Sequence, residues 1–352
     1  MSVRSKVFGH LMTEVIRKGT CVGCGSCAAV CPIESIELEA GTPKLVGICI
    51  ACGMCYASCP SAGFDEGEMD KLVFGRPRAD DEVDIGVKKV IYAVRAKDAA
   101  ILELCQDGGA VSAILSQFLN EGGDGAVVTG LEKNEIWVPK PVVASNKKEV
   151  VECAGTKYTP SPTMVGVSSA VNEHAKKRIA VVGTPCQIRG LSKVTVGQFA
   201  EGKIKEALGL KVGLFCMETY NHASFMGFLR SEGVDVSKVD KFQIKSGKLF
   251  ALQEGRVVYE AKLSKVKEYV RPCCQGCEDF ASEYADISVG NIGTPDGWST
   301  VIVRTQRGED ALMAAEKVGL VEIKPVEEGK AGMGFILRLA GLKKKKTEKE
   351  AE

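Results

Sequence analysis

Two cysteine runs near the start constrain this chain more than any other feature: Cys21-Val-Gly-Cys24-Gly-Ser-Cys27-Ala-Ala-Val-Cys31-Pro32 and Cys49-Ile-Ala-Cys52-Gly-Met-Cys55-Tyr-Ala-Ser-Cys59-Pro60. Both have the spacing that holds cubane iron–sulfur clusters, in which the fourth cysteine of each run ligates the other cluster. Cys21, Cys24, Cys27 and Cys59 are thereby assigned to one [4Fe-4S] cube, and Cys49, Cys52, Cys55 and Cys31 to another. A segment this short folds poorly on apolar burial alone, so the metal is expected to supply folding energy. Gly23, Gly25 and Gly53 let backbone amides turn toward sulfide, and Pro32 and Pro60 stop the chain after the last ligand.

Zinc takes four ligands at one centre and has no use for a repeated three-plus-one pattern. Disulfides require an oxidising compartment, whereas residues 1–19 lack a secretory signal pattern and the chain carries 15 cysteines. A reducing, oxygen-poor cytoplasm is the expected setting. The net formal charge of +1 sets nucleic acid aside as a natural partner. No apolar run approaches the roughly 18 residues of a membrane span, so any membrane association is expected to be peripheral, through a partner subunit.

At 352 residues, 45% of them apolar, the chain can form about two domains. The expected fold class is α/β: a ferredoxin-like α+β module over residues 1–68, a linker over 69–88, a larger α/β domain over 89–342 and a solvated charged tail over 343–352. Residues 1–20 read as a short lead-in helix, with short strands at Ile33–Leu38 and Lys44–Val46 inside the module. The large domain is expected to alternate strands Val90–Ala93, Ala126–Thr129, Ile179–Val182 and Val212–Phe215 with helices Ala110–Leu119, Ser169–Lys177 and Gly197–Leu208, the pattern of a sheet covered on both faces. Strands at Ala285–Gly290, Val301–Arg304 and Leu320–Ile323 and a helix at Glu309–Lys317 follow. No Gly-x-Gly-x-x-Gly follows the first strand, so this is not an ordinary dinucleotide fold.

Three stretches carry candidate ligand chemistry. Gln106-Asp107-Gly108-Gly109 precedes a helix, where free amides and the helix dipole suit a phosphate; a plain turn needing small residues reads the same way. Ala154-Gly155-Thr156-Lys157-Tyr158-Thr159-Pro160-Ser161-Pro162 has the hydroxyls and the cation to wrap an anion, with Lys157 as charge partner, or it is a solvated turn. Asn291–Thr300 is a Gly-rich loop around Trp298, whose indole is expected to be buried. Cys186 and Cys216 each close an expected strand at the carboxyl edge of the sheet, where functional crevices form. With Cys274 and Cys277 they make a third four-thiolate set, with Gln187 and Glu218 nearby and Cys273 as an alternative ligand. As small buried hydrophobes they need no metal at all. Cys105 and Cys153 are read as non-ligands. None of His10, His174 and His222 sits in a catalytic constellation.

Seven motifs in order give the chain a specific resemblance: Gln106-Asp107-Gly108-Gly109, Ala154–Pro162, Thr184-Pro185-Cys186-Gln187, Gly213–Glu218, Cys274-Gln275-Gly276-Cys277, Ala285–Ser288 and Pro295–Thr300. It resembles the family of coenzyme F420 hydrogenase/dehydrogenase beta subunits over roughly residues 90–340. The resemblance implies FAD and F420 binding by the large domain, with Gln106, Asp107, Gly108, Gly109, Gly155, Thr156, Lys157, Tyr158, Thr184 and Gln187 as cofactor or substrate contacts. It further implies a [4Fe-4S] cluster on Cys186, Cys216, Cys274 and Cys277. The shortest family members lack the ferredoxin portion, so the chain looks more like a formate dehydrogenase or F420H2 dehydrogenase type. Implied partners are a hydrogenase, a formate dehydrogenase, a heterodisulfide reductase or a membrane F420H2 dehydrogenase.

F420 exchanges hydride, a cube passes single electrons, and a flavin does both, so FAD is expected between them, with three clusters leading to a partner. The competing readings are a cluster-bearing relay without flavin and a related flavoprotein reductase on a substrate other than F420, such as a glutamate synthase or sulfite reductase partner or a pigment-precursor reductase.

Overall fold

The computed structural model describes residues 5–200, 202–326 and 332–351. Residues 1–4 of the expected lead-in helix and Glu352 of the expected tail lie outside them. The lead-in segment is a helical turn, Phe8–Leu11, running into a π-helical turn, Met12–Ile16, whose buried Phe8, Leu11 and Val15 pack beneath the cysteine runs. The two runs fold alike. In each, the glycine after the second cysteine, Gly25 or Gly53, takes a left-handed conformation (φ 86° and 83°) and starts a one-turn helix, Ser26–Ala29 or Met54–Ala57, that carries the third cysteine. At those angles a side chain is strained. Strands β1 (Ile36–Glu39) and β2 (Thr42–Leu45) pair antiparallel between the runs.

The expected linker, residues 69–88, is fixed along the larger part. The helix Glu66–Phe74 is capped by Asp65, and the chain beyond it is held by Arg78, which bonds Asp70, Glu283 and the Tyr284 hydroxyl. Ile85 and Val87 are buried. These apolar and charged anchors make the segment a strap over the larger part.

The larger part is organised by an eight-stranded mixed sheet: β3 (Val90–Ala96), β4 (Gly125–Leu131), β5 (Pro139–Ala144), β6 (Ile179–Gly183), β7 (Leu208–Leu214), β11 (Ile287–Gly290), β12 (Ser299–Val303) and β13 (Val321–Pro325), in the order β13-β3-β12-β11-β7-β6-β4-β5. Its middle, β11-β7-β6-β4, is parallel, and β12, β13 and β5 run against it. The fully buried run Ile179-Ala180-Val181 marks a strand covered on both faces. A three-stranded antiparallel sheet, β8 (Lys241–Lys245), β9 (Lys248–Gln253) and β10 (Arg256–Lys262), packs with the helix His222–Ser231 around Phe225, Phe242 and Leu249.

Two helices differ from expectation. The expected Ser169–Lys177 helix is Thr163–Asn172, begun immediately after Pro162. Of the expected Gly197–Leu208 helix, Lys203–Ala207 forms, and a longer helix, Pro185–Val196, precedes it. Thr184-Pro185-x-Gln187 is an N-terminal signature: proline at the first position, and a capping box in which Thr184 N–H donates to Gln187 Oε1 at 2.7 Å. The expected solvated tail over 343–352 departs from expectation at its start. The helix Met333–Ala351 runs through it, and the Lys343 side chain is buried.

Candidate functional site

Cys21, Cys24, Cys27 and Cys59 line one cavity, walled by Leu11, Val15, Ile16, Leu38 and Pro43. Cys31, Cys49, Cys52 and Cys55 line a second, walled by Phe8, Ile36, Leu45, Ile48 and Ile50. The fold thus brings together the same two groups of four cysteines that the spacing pairs. The environments differ. Cys24, Cys27 and Cys59 are buried, whereas Cys49 and Cys52 are exposed, with Ile33, Leu45, Val46, Ile48 and Ile50 forming an exposed apolar collar. Ser35 N–H donates to Cys31 Sγ and Ala51 N–H to Cys49 Sγ, the amide-to-sulfur bonding that tunes a cluster.

A third set gathers where the sheet's parallel strands end. β6 and β7 are in register at Gly183 and Gly213, so Cys186, second in its helix, and Cys216, just past β7, leave adjacent strand ends together. Cys274 and Cys277, on the loop after the short turn Pro272–Cys274, join them: Cys186, Cys274 and Cys277 are the cysteine neighbours whose charge acts on Cys216. Thr219 N–H donates to Cys274 Sγ at 3.4 Å, and Cys273 is hydrogen-bonded to Cys274 beside it.

Burial pushes the thiols of Cys24 and Cys186 up to about 12 and those of Cys55 and Cys59 to about 11. Left to themselves these would be inert thiols. Coordination to a metal deprotonates a thiol outright, and apolar cavities ringed by cysteine sulfur fit an iron–sulfur cube.

The small module is fastened to the large one through the backbone of its inner cysteines. Arg271 donates to the carbonyls of Val22 and Cys21 (3.0 and 3.1 Å), Met164 N–H to Cys24 O (2.9 Å), and Lys193 to the carbonyls of Cys59, Ala62 and Gly63. Cys24 is in turn a charge neighbour of Cys186. The Cys21/Cys24/Cys27/Cys59 cavity thus lies between the strand-end set and the exposed set.

The ligand-chemistry stretches meet at the same sheet edge. Gln106 Oε1 accepts from Thr156 N–H (3.2 Å), and Asp107 from Gly297 N–H. A Cβ on Gly108 would lie 2.3 Å from Ser299 N and 2.7 Å from Val94 O, so that loop is seated directly on β3 and β12. Tyr158 OH accepts from Ile244 N–H, and Lys241 donates to Cys105 O, which brings the three-stranded lobe over the Gln106 loop. Gln187 Nε2 donates to Ser161 O (2.7 Å), joining the 154–162 loop to the Cys186 helix. Among the described residues, the buried hydroxyls of Ser161 and Thr163 meet no hydrogen-bond partner. Buried polar atoms are rarely left so, and a polar ligand seated there fits them.

Two expectations are corrected. Lys157 has no donor left for a cofactor phosphate: its ammonium bonds the carbonyls of Cys153, Ala154 and Gly155 and closes the end of the helix Lys147–Glu152. Trp298 is half-buried, with the Lys324 ammonium 4.3 Å from its ring centre. The site residue that sequence reasoning missed is Lys343, which donates to the carbonyls of Cys216 and Asp279. Burial works against its charge, but Cys277, Cys216 and Asp279 outweigh it and raise the pKa. Its place in a lysine run masked it.

Sheet edge, cysteine sets and module together define an iron–sulfur oxidoreductase subunit. Residues 91–167 and 176–329 match the N-terminal and C-terminal parts of the coenzyme F420 hydrogenase/dehydrogenase beta subunit, and residues 13–60 match a 4Fe-4S dicluster domain. The chain is 38% identical over 267 residues to the coenzyme F420 hydrogenase subunit beta of Methanothermobacter thermautotrophicus, covering 75% of this chain and 94% of that one. It is 30% identical to an F(420)H(2) dehydrogenase subunit of Methanosarcina mazei over 95% of this chain and 92% of that one. A chain of the F420-reducing [NiFe] hydrogenase complex from Methanosarcina barkeri superposes with a TM-score of 0.72 at 33% identity, over 76% of this chain and 92% of that one. The chain belongs to the family of coenzyme F420 hydrogenase/dehydrogenase beta subunits and is an F420 oxidoreductase. Among the described residues, no helix is long and apolar enough to cross a membrane.

Proposed function

We propose that the chain exchanges a hydride between F420 and an FAD held at the sheet edge and single electrons between that FAD and three [4Fe-4S] clusters leading to a partner subunit. The observation that carries this reading is that the strand-end set Cys186, Cys216, Cys274 and Cys277 lies beside the meeting point of the Gln106 loop, the Tyr158 loop and the Gln187 helix start on one side and Cys24 on the other. Bound there, a flavin supplies the conversion between the hydride F420 carries and the single electrons a cube accepts.

The residues have separable tasks. Gln106 to Gly109 and Gly155 to Tyr158 shape the flavin and F420 cleft, the backbone amides of Gly108 and Gly109 facing a helix start that favours phosphate. Ser161 and Thr163 offer hydroxyls, and Thr184 and Gln187 hold the wall shared with the Cys186 cluster. Cys21, Cys24, Cys27 and Cys59 hold the inner relay, and Cys31, Cys49, Cys52 and Cys55 the outer one. The outer collar of Ile33, Leu45, Val46, Ile48 and Ile50 is where a hydrogenase or dehydrogenase partner meets the chain. Anaerobic oxidation of F420H2 with a one-electron dye, set against NADH and NADPH on the same preparation, tests the proposal. Dye reduction by F420H2 alone supports it, and equal turnover with a nicotinamide overturns it.

A further inference from the structure

Lys343 opens the run Lys343-Lys344-Lys345-Lys346, yet it is only 3% exposed. It lies beyond residue 329, where the family match ends. Its Nζ donates to Cys216 O at 2.6 Å and Asp279 O at 2.9 Å and makes a side-chain contact with Cys277. One ammonium thus ties together the two loops that bear Cys216 and Cys277. A buried cation is costly unless negative charge faces it, and Cys277, Cys216 and Asp279 all act on this one. Lys344 is no substitute, since it turns away to Val83 O and Glu283.

We propose that Lys343 is a positioning residue for a cluster on Cys186, Cys216, Cys274 and Cys277, fixing the Cys216 and Cys277 loops and raising the cluster's reduction potential. This role presupposes the three-cluster reading above. Cluster potentials follow net charge, hydrogen bonds to sulfur and solvent exposure, and a fixed positive charge stabilises the reduced, more negative state. Water would screen an exposed lysine, whereas a buried one acts at low effective dielectric. The consequence is a cluster poised to draw electrons from the adjacent cleft.

The test is EPR-monitored redox titration of the full chain, purified anaerobically, as wild type, K343M and K343R. In K343M one midpoint of three moves to a more negative potential and the other two stay, while K343R keeps all three close to wild type. Unchanged midpoints in a K343M protein holding its full roughly twelve irons overturn the proposal. Should K343M drop to roughly eight irons, retention of the cluster in K343R upholds the role of the charge, and loss in both variants overturns it. A wild type with roughly eight irons removes the three-cluster reading itself, separately from Lys343.

Discussion

Arg271 offers the sharpest perturbation of the link between the two halves. It stands three residues before Cys274 and reaches 250 residues back along the chain to Cys21 O, and 249 to Val22 O, at 3.1 and 3.0 Å. Hydrogen bonds to a charged group are worth about 1.5–3 kcal/mol each, so the pair holds roughly 3–6 kcal/mol. Arg271 is half-buried, so the lower end applies, about 3 kcal/mol after solvent screening. Met164 N–H on Cys24 O and Lys193 on Cys59 O remain in Arg271→Met, so the module stays attached but opens more often. About 3 kcal/mol corresponds to a rise in local opening of roughly a hundredfold. Native-state hydrogen exchange reads this at the amides of Ala28, Ala29 and Met164, with Val181 in β6 as internal reference. Faster exchange at the first three with Val181 unchanged is the expected result. Unchanged protection at Ala28 and Ala29 refutes the clamp, and an equal loss at Val181 assigns Arg271 to global stability instead.

Other outcomes follow from the same geometry. Cys186→Ser lowers iron content by about four atoms, leaving the spectra of the two clusters of the small module in place, as iron analysis with EPR checks. Stripping iron anaerobically with a chelator removes amide protection over residues 20–62 while β6, β7 and β11 keep theirs, because the small module has little core of its own. Arg78→Met takes its hydrogen-bonded cation from buried Asp70 and leaves Glu283 only the more distant Lys344, and costs about 3–5 kcal/mol in denaturant unfolding. Gly108→Ala forces a methyl against Ser299 N and Val94 O, and flavin content falls while iron content holds.

The cysteine groupings of the small module were legible because ligand spacing is a local property, repeated in Gly25 and Gly53. The parallel strand β6 was legible from its continuous apolar run, and β7 only over its last residues from Val212, because Lys211 interrupts the apolar pattern before them. Three things were not. The Pro185–Val196 helix was hidden because Cys186 reads as the end of a strand until Thr184 and Gln187 are recognised as a capping box. Lys157 has the composition of a phosphate ligand, and only the fold shows its ammonium spent on three carbonyls. Lys343 sits in a run whose neighbours are charged, so its burial depends on contacts with residues 64 and 127 positions away. Long-range contacts of that kind leave no periodic trace in a sequence.

Rapid mixing of the anaerobic chain with F420H2, in the absence of any acceptor, tests the central claim most directly by following flavin absorbance and cluster EPR signals together. The account predicts flavin bleaching first and reduced-cluster signals after it, with the later signals curtailed in Cys186→Ser while bleaching persists. Cluster reduction with no flavin change, or full reduction of the clusters of the small module in Cys186→Ser at the wild-type rate, would contradict it.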